Sequence, residues 1–266
     1  MAESSAPGQA QSLDGKVVVV TGSSRGIGKG LALGLAEAGA TVVCAARSAT
    51  GRPGELAGTI DATVDEIRAA GGDALAVRCD IGVASDITNL VSATVEARGR
   101  LDVLVNNAMT STRALFDEAT PEMWDESFRI NVRSLLLTTQ AVVPVMAKHG
   151  GGSIINISSG AADPARTAGL PPGYLIYSTA KAAMERFSSA LALEVADRNI
   201  AVNALRPGAV KTETSTHELG EDYDWSMWKT PASVVPAVRF LAAQDAHGLT
   251  GQIVDVAGFG VTWGQS

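Results

Sequence analysis

Tyr177 and Lys181 stand four residues apart in Tyr177-Ser178-Thr179-Ala180-Lys181, at the head of a segment with helical periodicity. On a helix both side chains share one face. A phenol is a poor acid and a worse base near neutrality because its ordinary pKa is about 10, and a fixed ammonium beside it stabilises the phenolate and draws that value down. The pair has the makings of a tunable acid/base. Spacing alone leaves a solvated surface pair open, so the reading rests on what the chain brings to the same place.

The second chemistry-bearing stretch runs from Val17 to Gly28, Val-Val-Val-Val-Thr-Gly-Ser-Ser-Arg-Gly-Ile-Gly. An unbroken β-branched run without polar alternation reads as a strand buried on both faces, and a glycine-rich turn carries it into a helix. Gly22 turns the chain off the strand, Gly26 removes bulk where a phosphate approaches the backbone, and Gly28 lets the helix pack closely on the sheet. The unpaired amides at the helix start then face an anion. An ordinary tight connection is the competing reading.

Positioning these groups requires a sheet whose strands end at one edge. Ala40–Ala46, Ala74–Cys79, Leu101–Val105, Ser153–Ile157, Ile200–Leu205 and Gln252–Val256 read as further strands. Helical segments separate them at about 55–70, 86–98, Pro121–Lys148, Tyr177–Asp197 and Pro231–Ala243. Such alternation specifies an α/β fold, a single-domain, Rossmann-type, doubly wound parallel sheet with helices on both faces. Residues 13–260 form that domain, with a flexible arm at 1–12 and a tail at 261–266. Two long connections, Ala161–Gly173 and Lys211–Thr230, follow strands on the carboxyl edge and are the candidate substrate walls. The second is acidic yet carries Tyr223, Trp225, Met227 and Trp228, a composition expected of a mobile lid over an apolar ligand.

Composition narrows the function classes. The chain has 266 residues, two cysteines and a formal net charge of −7, which gives no basic footprint for nucleic acid or anionic lipid and no disulfide framework. Cys44 and Cys79 read as small core residues. His149, His217 and His247 lack ligand spacing, so no metal site is expected. The longest apolar runs fall short of the roughly 20 residues of a membrane helix, and Met1–Gln11 has no signal-peptide pattern, so a cytoplasmic location and no membrane partner are expected. Trp124 with Phe128 reads as helix packing, and Arg129 with Arg133 as a solvated or subunit-facing pair.

Taken together and in order, the motifs resemble those of the short-chain dehydrogenase/reductase family. Thr21-Gly22-Ser23-Ser24-Arg25-Gly26-Ile27-Gly28 looks like the family's cofactor loop, Asn106-Asn107-Ala108 like its fourth-strand motif and Tyr177–Lys181 like its active-site motif. Arg206-Pro207-Gly208-Ala209-Val210-Lys211-Thr212 is similar to the segment that contacts nicotinamide there. The resemblance covers about residues 13–260. It implies that Tyr177 is the acid/base, that Lys181 holds the ribose and lowers the tyrosine pKa, that Ser159 rather than Ser158 bonds the carbonyl oxygen, and that Asn131 holds a water in a proton relay. Tyr174 is assigned to the pocket wall. Cofactor contacts are implied for Gly22, Ser24, Arg25, Gly26, Ile27, Gly28, Arg47, Asp80, Ile81, Asn107, Ala108, Tyr177, Lys181, Pro207, Gly208, Val210 and Thr212.

The expected activity is hydride transfer between a nicotinamide dinucleotide and a carbonyl or secondary alcohol of a small, neutral and fairly apolar substrate, in a homodimer or homotetramer. NADP is favoured over NAD because Ala46-Arg47 ends the second strand where an NAD enzyme commonly has a carboxylate, and Arg25 offers a second charge for a 2′-phosphate. A 3-oxoacyl-thioester reductase acting on acyl-carrier protein or CoA is the alternative within the class, and a non-catalytic cofactor sensor or scaffold the alternative outside it. Two departures stand out: Met109 where the family usually has glycine, and an insertion at Leu170–Gly173.

Overall fold

The protein, described here from a computed structural model, is covered over residues 11–49 and 56–265. Most of the expected N-terminal arm, Glu55 at the head of the second expected helix, and Ser266 lie outside the described residues.

β1 (Val17–Thr21), β2 (Thr41–Ala46), β3 (Ala74–Arg78), β4 (Val103–Asn106), β5 (Gly152–Ile157), β6 (Ile200–Arg206) and β7 (Ile253–Asp255) form one parallel sheet in the order β3-β2-β1-β4-β5-β6-β7. The order in which the chain adds strands reverses at β1/β4, the switch point where loops leaving the carboxyl ends part to form a crevice. The continuous valine run of β1 explains its central place. Val18 and Val20 enter one apolar core with Leu31, Leu35, Val238 and Leu241. Val17 and Val19 enter the other with Leu104, Val142, Val143 and Met146. Each face of the strand therefore has its own layer of helices.

Those layers are α1 (Gly26–Glu37), α2 (Ile60–Ala69), α3 (Ala84–Arg98), α4 (Pro121–Phe128), α5 (Ser134–Lys148), α6 (Leu175–Glu194), α7 (Glu213–Leu219) and α8 (Val235–Ala242). Thr59 caps α2 through the Ala62 amide, which sets the start of that helix later than the periodicity suggests. The long helix expected over Pro121–Lys148 is α4 and α5 joined by a π-turn at Arg129–Arg133. By length and composition this helix is apolar enough to cross a membrane, contrary to the run-length expectation. In the fold, Leu135, Val142, Val143 and Met146 on it are core residues.

Two segments are more ordered than their composition suggests. Lys211–Thr230 contains α7, whose Thr212 cap forms a reciprocal box with Ser215, and Val210 bridges to Lys229 beyond it. Tyr223, Trp225 and Trp228 pack on one another with ring centroids 5.0–5.9 Å apart, so these aromatics are partners for each other. Residues 261–265 of the expected tail fold back: the Trp263 ring lies 5.0 Å from Phe259, and its Nε1–H donates to the Asp255 carbonyl at 2.8 Å.

Candidate active site

Tyr177 and Lys181 occupy the first turns of α6, where the helix crosses the end of β5. Their exposures are 8% and 1%, which excludes the solvated-pair reading. Lys181 Nζ donates to the Ile157 carbonyl at 2.7 Å, so the ammonium is tethered to the last residue of β5. Burial lowers the Lys181 pKa to about 7, opposed by the nearby Glu185 carboxylate. Ser159 follows two residues after that carbonyl. Its hydroxyl accepts from the Ala161 amide at 3.1 Å and caps a short 3-10 turn at Gly160–Ala162.

Burial raises the Tyr177 phenol above its ordinary range, and a hydrogen bond with Ser159 and the charge of Arg113 act in the opposite direction. The lowering expected from Lys181 does not prevail, because burial dominates. Its ammonium sits 5.9 Å from the ring centroid and is directed to the Ile157 carbonyl. At neutral pH the phenol keeps its proton. That hydroxyl donates to the Met109 sulfur at 3.8 Å, so the residue that replaces glycine lies directly on the reactive oxygen. Tyr174 packs edge-on to Tyr177 with centroids 6.1 Å apart.

Asn131 lies in the π-turn, 1% exposed. Its side chain grips both sides of Thr110, accepting from the amide at 3.0 Å and donating to the carbonyl at 2.9 Å, with Ser127 as a further partner at 3.2 Å. Asn131 thereby ties down the loop after β4, whose Met109 contacts the Tyr177 hydroxyl. Arg129 in the same turn, expected to be solvated or subunit-facing, is partly exposed and also bonded within the chain. It forms a fork with Glu126 at 2.7 and 2.8 Å and donates to the Gly82 carbonyl at 2.9 Å, fastening the segment after Asp80-Ile81.

The glycine loop is held by close packing. Gly22 has φ +68°, and a Cβ on Gly28 would stand 2.2 Å from the Gly22 carbonyl oxygen and 2.4 Å from Asn107 Nδ2. Asn107 donates to the carbonyls of Thr21 and Gly22 at 2.9 and 3.2 Å, and the Asn107 and Ala108 amides both donate to Thr21 Oγ1. Asn107 thus braces the loop. Gly26, at φ +56°, offers its amide at the start of α1 to a carboxylate oxygen of Glu213, 2.9 Å away. An acid already stands where an anion is expected. Arg25 donates to the Gly58 carbonyl at 3.1 Å, the local-backbone role, while its Nε is buried without a partner. Together the anion-accepting amide and the orphaned Arg25 nitrogen fit a dinucleotide phosphate.

The remaining expected contacts border the same edge. Ser24 is buried at 7% and Ile27 is half-buried on α1. Arg47 is exposed at the end of β2 with no ion pair among the described residues. Asp80 accepts from the Gly82 amide at 2.9 Å and Ile81 is 8% exposed. Pro207 and Gly208 leave β6, Val210 is buried, and Thr212 begins α7. A groove of about 760 Å³ runs beside α7, lined by Leu56, Lys211, Thr212, Glu213, Thr216 and Pro231.

Two clusters escaped sequence reasoning. Glu185, one turn beyond Lys181, receives Arg206 Nε and Nη2 at 2.7 and 2.8 Å and the Ser158 hydroxyl at 2.7 Å. Arg206 also reaches Asp163 at 2.7 Å. The cluster joins the end of β6, α6 and the residue beside Ser159; the i,i+4 spacing of Glu185 from Lys181 was its one visible signal. At the mouth, the Arg113 guanidinium lies 4.5 Å above the Tyr174 ring and 3.3 Å from a Glu218 carboxylate oxygen on α7. Ser111 donates to the other Glu218 oxygen at 3.0 Å. The buried thiols are inert by comparison, burial pushing Cys44 up to about 11 and Cys79 up to about 12.

Comparison with known proteins agrees with this fold. The family described as short chain dehydrogenase matches residues 16–223. An uncharacterised oxidoreductase of Methylorubrum extorquens is 41% identical over 259 residues, covering 92% of this chain and 98% of that one. A 7α-hydroxysteroid dehydrogenase solved with NADH and 7-oxo glycochenodeoxycholic acid superposes with a TM-score of 0.82 at 31% identity, covering 95% and 96%. A Beutenbergia cavernae structure with bound NADP at low occupancy superposes with a TM-score of 0.80 at 31% identity, covering 93% and 98%.

Proposed function

Because the chain belongs to the short-chain dehydrogenase/reductase family, NAD(P)-dependent oxidoreductases of alcohol and carbonyl groups, we propose that it exchanges a hydride between NADP(H) and a small, fairly apolar carbonyl or secondary alcohol. The observation that carries this reading is the buried Tyr177 phenol, which keeps its proton beside Ser159 and the tethered Lys181.

The nicotinamide, when bound, supplies or accepts the hydride. Tyr177 gives its proton to the carbonyl oxygen in reduction and takes it back in oxidation. Ser159 directs a hydrogen bond at the same oxygen and steadies its developing charge. Lys181 holds the cofactor ribose, and its charge then stabilises the phenolate that Tyr177 becomes. Asn131 positions the loop under the phenol through Thr110, and Asn107 keeps the glycine loop open for the phosphates. The cofactor contacts assigned to Gly22, Ser24, Arg25, Gly26, Ile27, Gly28, Asp80, Ile81, Ala108, Pro207, Gly208, Val210 and Thr212 belong to this reading. Exposed apolar side chains at Met109, Leu115 and Phe116 on the loop after β4 support an apolar substrate body.

NADP is favoured over NAD because Ala46 offers no carboxylate to repel a 2′-phosphate, and the adjacent Arg47 is exposed and unpaired among the described residues. A cytoplasmic location and a dimer or tetramer complete the reading. The test is a carbonyl and alcohol panel with both cofactors, followed by nicotinamide absorbance, on the native protein, Tyr177→Phe and Ala46→Asp/Arg47→Ala. Tyr177→Phe should keep cofactor binding and lose at least about a hundredfold in kcat. The double variant should shift kcat/KM toward NAD. Cofactor binding without turnover across the panel would replace this reading with the sensor or scaffold.

A further inference from the structure

The cations around Tyr177 are unequally satisfied. Lys181 is tethered to the Ile157 carbonyl at 2.7 Å. Arg206 is forked onto Glu185 and bound to Asp163, with contacts of 2.7–2.8 Å. Arg166 donates to Asp255 at 2.9 Å. Arg113 alone has a loose arrangement: one carboxylate oxygen at 3.3 Å and, among the described residues, no hydrogen bond of ordinary geometry. A guanidinium carries five N–H donors, so most of the capacity of Arg113 is unused.

Its position is nonetheless fixed. Stacking on Tyr174 at 4.5 Å holds the guanidinium, and Tyr174 is in turn packed on Tyr177. The Ala114 amide donates to the Gly173 carbonyl at 3.1 Å, tying the neighbouring backbone to the entry of α6. The side chains are half exposed, 38% for Arg113 and 31% for Glu218, so a ligand entering toward Tyr177 meets them from solvent. Glu218 comes from α7, a short helix in a connection that lies outside the sheet.

We propose that Arg113 is an anion-recognition residue for the substrate, which carries a carboxylate on its apolar body, and that Glu218 is the internal anion this carboxylate displaces. The fork of Arg113 suits a carboxylate in bidentate geometry, and stacking pre-organises the plane without consuming N–H donors. The inference rests on the proposed oxidoreductase reading and revises the expectation of a neutral substrate: an apolar body remains, with one charged end.

The test uses the full chain with acetoacetate, levulinate and para-acetylbenzoate, each beside its methyl ester, in the presence of NADPH or NADH. The native kcat/KM should favour at least one acid over its ester by about tenfold. In Arg113→Gln that ratio should fall to about one, with Arg113→Lys between them, because an ammonium keeps the charge and loses the fork. Glu218→Gln should move the other way and lower KM for the acid, which a general folding defect would not do. A native ratio near one for every pair, or a ratio unchanged in Arg113→Gln, overturns the proposal. If no compound turns over, the oxidoreductase reading fails separately, and calorimetric titration with para-acetylbenzoate still decides the subsite. Binding by the native protein that is lost in Arg113→Gln supports it, and equal or absent binding sinks it.

Discussion

Removing Arg206 should damage this protein far more than its surface ion pairs would suggest. Arg206 and Glu185 have side-chain exposures of 11% and 6%, and the arginine supplies two of the three side-chain hydrogen bonds that Glu185 receives. In Arg206→Met the carboxylate keeps only the Ser158 hydroxyl while remaining buried. An uncompensated buried charge of this kind costs about 3–5 kcal/mol. For a chain of this size each kcal/mol lowers Tm by about 2–4 °C, so the expected drop is roughly 6–20 °C. Adding Glu185→Gln removes the stranded charge, and the double variant should recover more than half of the loss. Urea unfolding followed by circular dichroism measures the complete cycle. A loss in Arg206→Met below about 1 kcal/mol, or additive losses in the double variant, would refute the reasoning.

Two further outcomes follow from the site. Lys181 is lowered from 10.5 to about 7 in the fold. As pH rises above about 7 the native state therefore releases a proton that the unfolded chain keeps until about 10.5, and stability increases with pH. Relative to Lys181→Met, the cofactor-free native protein should gain about 2 kcal/mol between roughly pH 7 and pH 9 in urea unfolding. A flat difference would mean that the buried lysine stays charged. Glu213 holds the Gly26 amide, the group that the proposed function assigns to a cofactor phosphate, so on that proposal Glu213→Gln should tighten cofactor binding about threefold to tenfold in a fluorescence titration at low salt. Weaker binding would show that the carboxylate helps to shape the site.

The sheet was legible because its signal is simple. Strands such as Val17–Thr21 are buried on both faces, and continuous valine admits no other periodicity. Ser159 stood out because it follows the end of β5 by two residues, and Tyr177 with Lys181 because the pair is spaced to share one face at the head of α6. The backbone partners of Asn131 and Asn107 were not legible for the opposite reason: both bond to groups distant in the chain, Thr110 and Thr21-Gly22, and no spacing rule encodes such partners. Arg129 read as a surface cation because Gly82, its second partner, is 47 positions away. The aromatic cluster in Lys211–Thr230 was visible as composition, yet composition does not say that the rings will satisfy each other. Met109 was visible as a departure from a pattern, but its contact with the Tyr177 hydroxyl required the fold.

The π-turn at Arg129–Arg133 sets where along this helix a change of length can be absorbed. A π-turn accommodates one residue more than the α-helix around it. Deleting a single residue from 129–133 would tighten the turn to α geometry and leave α4 and α5 in phase, so Thr138 could still hold Asn106 at 3.2 Å, whereas Asn131, which holds Thr110, would lose its place in the wide turn. Deleting one residue from 134–137 with the turn kept would instead rotate the rest of the helix by about 100° and shorten the path by about 1.5 Å, which separates Thr138 from Asn106. Indels inside and outside the turn therefore belong to different classes of mutation. The first disturb the grip of Asn131 on Thr110, whereas the second break the phase between the turn and the helix body that is locked to β4.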